Sequence, residues 1–198
     1  MYDWREMSEE DREKILKQRK YFQLPWHRPP RFNEEGEYRF FITAACYEHS
    51  HIIGKSFDRL IECEEVVLSI CRAFAKDVFA WCILTNHYHL LLQTDNIKGL
   101  LHELGRFHGR SSKKWNIEDD LVGRKVWFNY LERQMRSERQ FWTAMNYIHH
   151  NPVHHGHVNH WTDWLFSSAR EFLKETGKEK ATEILKKYPF EKYADKWD

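Results

Sequence analysis

The sequence predicts an α+β fold: a small antiparallel sheet with helices packed on one face. Three observations predict it. The stretch "EYRFFITAACYEH" (37–49) is rich in aromatic and short apolar residues and reads as a buried strand. The stretch "SFDRLIECEEVVLSICRAFAKD" (56–77) repeats apolar residues at three- and four-residue spacing, the period of an amphipathic helix. Next come two apolar runs close in sequence, "VFAWCILTN" and "YHLLLQT", which read as two strands or as one long bent strand.

The later elements extend that order. A second helix runs from Ile97 into "GLLHELGRFHGRSSKKWN", whereas "RKVWFNYLERQMR" fits strand and helix equally. In "SERQFWTAMNYIHH", Ser137 is an N-cap and positions 141, 144, 145 and 148 are apolar, which predicts a helix. Pro152 should end it, because the residue before a proline avoids helical geometry. The order strand, helix, strand, strand, helix, with one more helix, suits an antiparallel sheet better than a parallel one. Residues 1–36 read as an N-terminal extension or arm. It has a charged segment capped by Ser8, and then "LPWHRPPRFNEEGE", where Pro29 and Pro30 forbid a helix. Residues 37–170 form the core domain, and 171–198 a helical tail.

Composition narrows the function classes. With 198 residues, 41% hydrophobic content and 16% aromatic content, the chain can bury a core and is not disordered. Its formal charge of +1 lacks the basic excess of a nucleic-acid coat, so any polyanion site must be a local patch. Cys46, Cys63, Cys71 and Cys82 form no CxxC pair and read as buried free thiols. No apolar run approaches the ~20 residues that span a bilayer. The first residues are too charged for a signal peptide, so a cytoplasmic location without a membrane is expected.

Two stretches carry the chemistry. "TNHYHLLL" (85–92) sets two histidines one residue apart. On a strand His87 and His89 share one face while Tyr88 points to the other. Two imidazoles on one face can chelate a divalent cation. Taken alone, the pair is better read as two polar residues on a buried strand, and a closed structural zinc site needs four ligands. The second stretch is "YIHHNPVHHGH" (147–157), where Tyr147 and Asn151 are four apart and share a helix face. Several of its histidines read as solvated loop residues. A phenol with a pKa near ~10 is protonated at neutral pH, and a neighbouring cation favours the phenolate. The histidine pair offers a cation without a nucleophile; the helix offers a nucleophile without a cation.

"NHYHLLL", then "YIHHNPVHHGHV", then Trp161 and Trp164 to Ala169 ("W..WLFSSA") together resemble the REP-associated tyrosine transposases, within the HUH single-strand DNA transposases. The likeness runs from about Tyr38 to Ala169. It implies a ferredoxin-like fold. It implies that His87 and His89 bind Mg²⁺ or Mn²⁺, that Asn151 completes the metal site, and that Tyr147 forms a 5′-phosphotyrosine link to DNA and frees a 3′-hydroxyl. Tyr88 departs from the aliphatic residue usual between the histidines, and strand alternation aims it away from the metal face. Histidine ligation is softer than Mg²⁺ prefers, which favours Mn²⁺.

The expected partner is single-stranded or hairpin DNA, bound by a monomer or a homodimer. Arg106, Arg110, Lys113 and Lys114 concentrate in "GRFHGRSSKK", and Arg133, Arg136 and Arg139 recur at helical spacing. These, with Arg28 and Arg31 of the arm, could track a phosphate backbone, with Trp115, Trp127 or Phe107 as stacking partners. A solvated helix face is the plainer reading for any one of them. Three functions fit: a metal-dependent transposase or endonuclease that nicks and rejoins DNA at hairpin-bearing palindromes, a domesticated hairpin-binding protein with little cleavage, or a metal-binding protein with no DNA role.

Overall fold

A computed structural model describes residues 38–190, together with Ser8 and Glu10. The expectations for Arg28, Arg31 and the rest of the arm therefore lie outside the described residues, as do residues 191–198. The chain divides between Asn33 and Glu34, and the elements below belong to the unit Glu34–Asp198.

Four strands form one antiparallel sheet: β1 (Tyr38–Ala45), β2 (Asp77–Ile83), β3 (His87–Thr94) and β4 (Leu131–Gln134), in the spatial order β2-β3-β1-β4. The ambiguous "LERQ" segment is thus a strand, and the two apolar runs are two strands. They are joined at Thr85 and Asn86, where the Leu84 N–H donates to the His87 carbonyl at 2.8 Å. Helix α1 (Phe57–Phe74) connects β1 to β2, and α2 (Ile97–Glu118) connects β3 to β4. This is the ferredoxin-like arrangement, with each crossover helix returning the chain to a strand two places away.

Side-chain caps start three helices where the sequence signals them. Ser56 Oγ accepts from the Arg59 N–H at 3.2 Å, Asn96 Oδ1 from the Gly99 N–H at 3.0 Å, and Ser137 Oγ from the Gln140 N–H at 3.2 Å. Each satisfies a donor that the first turn leaves without a helical acceptor. The third cap opens α3 (Glu138–His154), which carries Tyr147 and Asn151.

Pro152 does not end α3; the helix continues to His154 with the proline inside it. A proline in mid-helix costs about 3 kcal/mol through its missing N–H and its ring clash. Here only two helical residues follow it, and the helix end is well capped. The Asn151 carbonyl accepts from the His155 N–H at 3.0 Å, and the Pro152 carbonyl accepts from the His157 N–H at 2.9 Å. The consequence is functional: Asn151 stays on the helix, one turn beyond Tyr147.

The crossover helices α1 and α2 pack against each other on one face of the sheet, and α3 lies across the other. Strand alternation sorts the core accordingly. Phe41, Ala80, Cys82 and Leu91 meet Ala144, Met145 and Ile148 of α3 on the front face. Phe40, Ile42, Leu90 and Leu92 point to the back, toward α1 and α2, and all are buried. All four cysteines are buried and unbridged, and burial pushes the Cys46 and Cys71 thiols up to about 12. Two short helices, α4 (Ala169–Thr176) and α5 (Lys178–Lys187), form the described part of the tail, and α5 contacts α3.

The stretch ahead of α4 closes one side of the sheet. The Ile83 N–H donates to the Phe166 carbonyl at 2.9 Å, and the Ser168 N–H donates to the Trp81 carbonyl at 3.0 Å. Trp164 Nε1 adds a bond to the Ile83 carbonyl at 2.8 Å. These bonds occupy the outer edge of β2, which would otherwise be an open strand edge.

Candidate metal and tyrosine site

His87, His89, Tyr147 and Asn151 come together between β3 and α3, all at most 2% exposed. The His87 and His89 rings meet edge to face with centroids 4.7 Å apart. His89 stacks on Phe41 at 5.5 Å and meets the Tyr147 ring at 5.0 Å. Asn151 Oδ1 lies 3.0 Å from His87 Nε2. A strand and a facing helix thus supply one site from residues sixty positions apart in sequence.

The protonation of His87 follows from its neighbour. Asn86 Nδ2 donates to the His49 carbonyl at 3.0 Å, which fixes the orientation of the amide. Asn86 Oδ1 then accepts from His87 Nδ1–H at 2.7 Å, which turns Nε2 toward Asn151. His87 Nε2 and Asn151 Oδ1 therefore converge, a ring nitrogen and an amide oxygen of the kinds a divalent cation takes. Asn151 Nδ2 is buried with no hydrogen-bond partner among the described residues. Turning the amide over would strand its oxygen instead.

The residues fit a divalent cation that takes imidazole nitrogen and amide oxygen. Among the described residues no three His, Cys, Asp or Glu side chains form a metal-holding group, so a cation held here would draw on the Asn151 amide as well as the two imidazoles. Such a donor set is softer than Mg²⁺ favours and better suited to Mn²⁺.

Sequence reasoning missed Asn86, whose only signal was its place just before His87. It also missed the left-handed pair Glu48 and His49 (φ 55° and 51°), which presents the carbonyl that holds Asn86. Such conformations cost non-glycine residues about 1–2 kcal/mol each and persist where surrounding contacts impose them. Gly54 is required for space: its N–H donates to the Thr85 carbonyl at 2.8 Å, and a Cβ there would collide with the Thr85 side chain.

Tyr88 lies on the opposite face. Its hydroxyl is 2.9 Å from His108 Nε2 and its ring packs edge-on to Trp127. Burial pushes its phenol well above the ordinary range, and it has no access to the histidine face.

Tyr147 is itself 0% exposed, with the ring of Phe190 6.3 Å from its own. Asn146 Nδ2 donates to the Tyr188 carbonyl at 2.9 Å and to the Ile184 carbonyl at 3.3 Å, tying the end of α5 to α3. On the other side of α3, a cavity of about 430 Å³ is lined by His149, His150, Trp161, Phe172 and Lys178. His149 is buried there against Ser168 Oγ at 3.1 Å, and burial lowers its pKa to about 3.

The candidate DNA-binding cations are dispersed. Arg106, Arg110, Lys113 and Lys114 are exposed along the solvent side of α2, which covers the sheet face opposite the histidines. Arg106 pairs with Glu103 at 3.1 Å and Lys114 with Glu62 at 2.8 Å. Arg133, Arg136 and Arg139 do not share a helix, despite their spacing. Arg133 is half-buried in β4, Arg136 lies in the connection after it, and Arg139 is in α3. The candidate stacking residues Trp115, Trp127 and Phe107 are buried, so they belong to the core.

No protein-family model matches the chain. The chain is 26% identical over 159 residues to a curated protein of Haemophilus influenzae provisionally named a REP-associated tyrosine transposase, covering 72% of this chain and 85% of that protein. Its fold matches a solved structure of a REP-associated tyrosine transposase bound to a REP hairpin. That match has a TM-score of 0.56 at 19% identity and covers 75% of this chain and 86% of the other.

Proposed function

We propose that this protein is a REP-associated tyrosine transposase that binds hairpin-forming palindromic DNA and cleaves and rejoins one strand through a 5′-phosphotyrosine. The convergence of the His87–His89 pair with Asn151 and Tyr147 carries the reading. The likeness to the Haemophilus protein and to the hairpin-bound structure supports the DNA partner.

In this reading His87, His89 and Asn151 hold Mn²⁺ or Mg²⁺, which when bound neutralises charge on the scissile phosphate and lowers the basicity of nearby oxygens. Asn86 keeps His87 in the tautomer that presents Nε2 inward. The Tyr147 hydroxyl gives its proton to water, and its oxygen attacks phosphorus in line with the 3′-oxygen. A tyrosyl–phosphorus bond forms, the bond to the 3′-oxygen breaks, and that oxygen takes up a proton to become a 3′-hydroxyl. Reversal with a different 3′-hydroxyl rejoins the strand. Tyr147 is buried among Phe41, His89 and Phe190, so a strand reaches the phenol only after side chains around it shift.

The burial of Tyr147 also favours a second reading, a hairpin-binding protein with little cleavage. Covalent trapping separates the two. Full-length protein mixed with hairpin DNA and Mn²⁺ should give an SDS-resistant adduct that Tyr147→Phe lacks. Salt-dependent hairpin binding without an adduct would leave only the binding reading.

A further inference from the structure

A second group of polar side chains gathers at the same end of the sheet, outside the cation site. His51, in the loop after β1, places Nδ1 2.6 Å from Thr85 Oγ1. His157 Nε2 approaches the same hydroxyl at 3.5 Å. The His51 and His157 rings are 6.4 Å apart, as are those of His155 and His157. His155 in turn meets the edge of His87 at 5.0 Å. A continuous row therefore runs from a candidate metal ligand outward: His87, His155, His157, Thr85, His51. Three chain segments distant in sequence build it, and Trp164 backs it with a ring 5.2 Å from His157.

The chemistry of the row limits what it can hold. His51 and His155 are exposed, while Thr85 and His157 are half-buried. Burial lowers the His157 pKa, so at neutral pH that ring is uncharged and offers one N–H. The carbonyls at the end of α3 are already engaged: those of Asn151, Pro152 and Val153 accept from the N–H groups of His155, His157 and Gly156. The exposed rings of His51 and His155 thus flank the Thr85 hydroxyl, which His51 Nδ1 and His157 Nε2 approach, at a helix end whose last carbonyls are occupied. The row is not a second metal centre, since no three histidines among the described residues form a metal-holding group.

We propose that His51, Thr85, His155 and His157 form a phosphate subsite, which holds a backbone phosphodiester of the single-stranded DNA beside the bond cleaved at Tyr147. The inference rests on the transposase reading. It supplies something the basic stripe on α2 does not, a set of donors contiguous with the metal ligands. Its position also fixes the side from which the strand enters, past His155 and over the end of α3.

The test is a double-mutant cycle between protein and DNA. Binding of the full chain, with Mn²⁺, is measured to hairpin DNA carrying a single-stranded extension. Each phosphate of the extension is replaced in turn by a neutral methylphosphonate. His51→Ala and His157→Ala should each weaken binding of unmodified DNA about tenfold, the worth of a hydrogen bond to a charged group. One methylphosphonate position should weaken wild type by a similar factor and the variants no further. His157→Gln, which keeps a donor, should recover part of the loss, and Mn²⁺ affinity should stay at the wild-type level in all three variants. Wild-type affinity in both alanine variants overturns the inference, as do losses that multiply at every position. If wild-type protein shows no salt-dependent binding of the hairpin at all, the transposase reading falls, and this inference with it.

Discussion

The two faces of β3 are buried alike and equipped differently. His87, Tyr88 and His89 are consecutive and between 0% and 2% exposed. On the back face, Tyr88 finds His108, and His108 stacks on Trp127 at 4.2 Å, whose Nε1 donates to Ser111 Oγ at 2.9 Å. Farther along that side, Asp119 is held by Arg59, Lys55 and Arg124 at 2.6–2.8 Å. Polar groups there are matched to one another. On the front face, Asn151 keeps a buried N–H₂ with no partner among the described residues, while its Oδ1 faces His87 Nε2 across 3.0 Å. Burial alone therefore does not distinguish structure from function. The matching of donors and acceptors does, because an unmatched buried polar group costs about 1–3 kcal/mol unless something else occupies the gap.

If that contrast is right, back-face variants should lose stability while keeping chemistry, and front-face variants the reverse. Tyr147→Phe should show the largest effect: adduct formation falls by about four orders of magnitude or below detection, with an unchanged urea midpoint. Asp119→Ala should come next, at about 1–3 kcal/mol of unfolding free energy, because it removes one of the two carboxylates that pair with the buried Arg59 guanidinium and leaves Glu118 at 2.8 Å as the other. The adduct formed by the folded fraction should persist; its loss would show that the back face also serves the reaction.

Asn86→Ala should weaken Mn²⁺ binding about 10–100-fold in calorimetric titration, with the melting temperature little changed. Unaltered affinity would remove Asn86 from the metal's support.

The back face also predicts a pH dependence. Burial lowers the pKa of His108 to about 4, whereas the unfolded ring titrates near 6.5. The unfolded chain thus takes up the proton first. Stability is full above pH 6.5 and falls on acidification toward about 4, at up to about 1.4 kcal/mol per unit. His108→Phe should make that limb shallower and leave the part that His149, held at about 3 by burial, contributes over the same range. Asp119 acts in the same direction at lower pH: its cationic partners hold the carboxyl well below its ordinary range, so its contribution is lost only below about pH 4. The smallest effect belongs to Tyr88→Phe, about 1 kcal/mol of stability from one lost hydrogen bond, with adduct formation nearly intact.

Local signals made much of this legible in the sequence. Ser56, Asn96 and Ser137 cap their helices through the residues that usually do so, continuous apolar runs place β1 and β3, and the period-3.6 pattern places α1 and α3. Alternation alone separates Tyr88 from the two histidines. Features decided by tertiary contacts were not legible. The segment Leu131–Gln134 becomes a strand because β1 offers an edge, not because its own pattern favours one. Pro152 is tolerated because the chain beyond it supplies capping bonds to the last carbonyls. The arginines at 133, 136 and 139 have helical spacing, yet the chain changes conformation twice between the first and the last. Asn86 carries no pattern, since its role depends on a carbonyl contributed by the loop after β1.

The Phe166–Ser168 strip along β2 has a consequence for assembly. With the Ile83 N–H and both backbone groups of Trp81 already engaged, the C-terminal end of β2 presents no open ladder for another strand to join. A second copy of the chain cannot extend the sheet there, and neither can a peptide that binds by adding a strand. Pairing of protomers through the sheet is left the start of β2 and the four-residue β4 side.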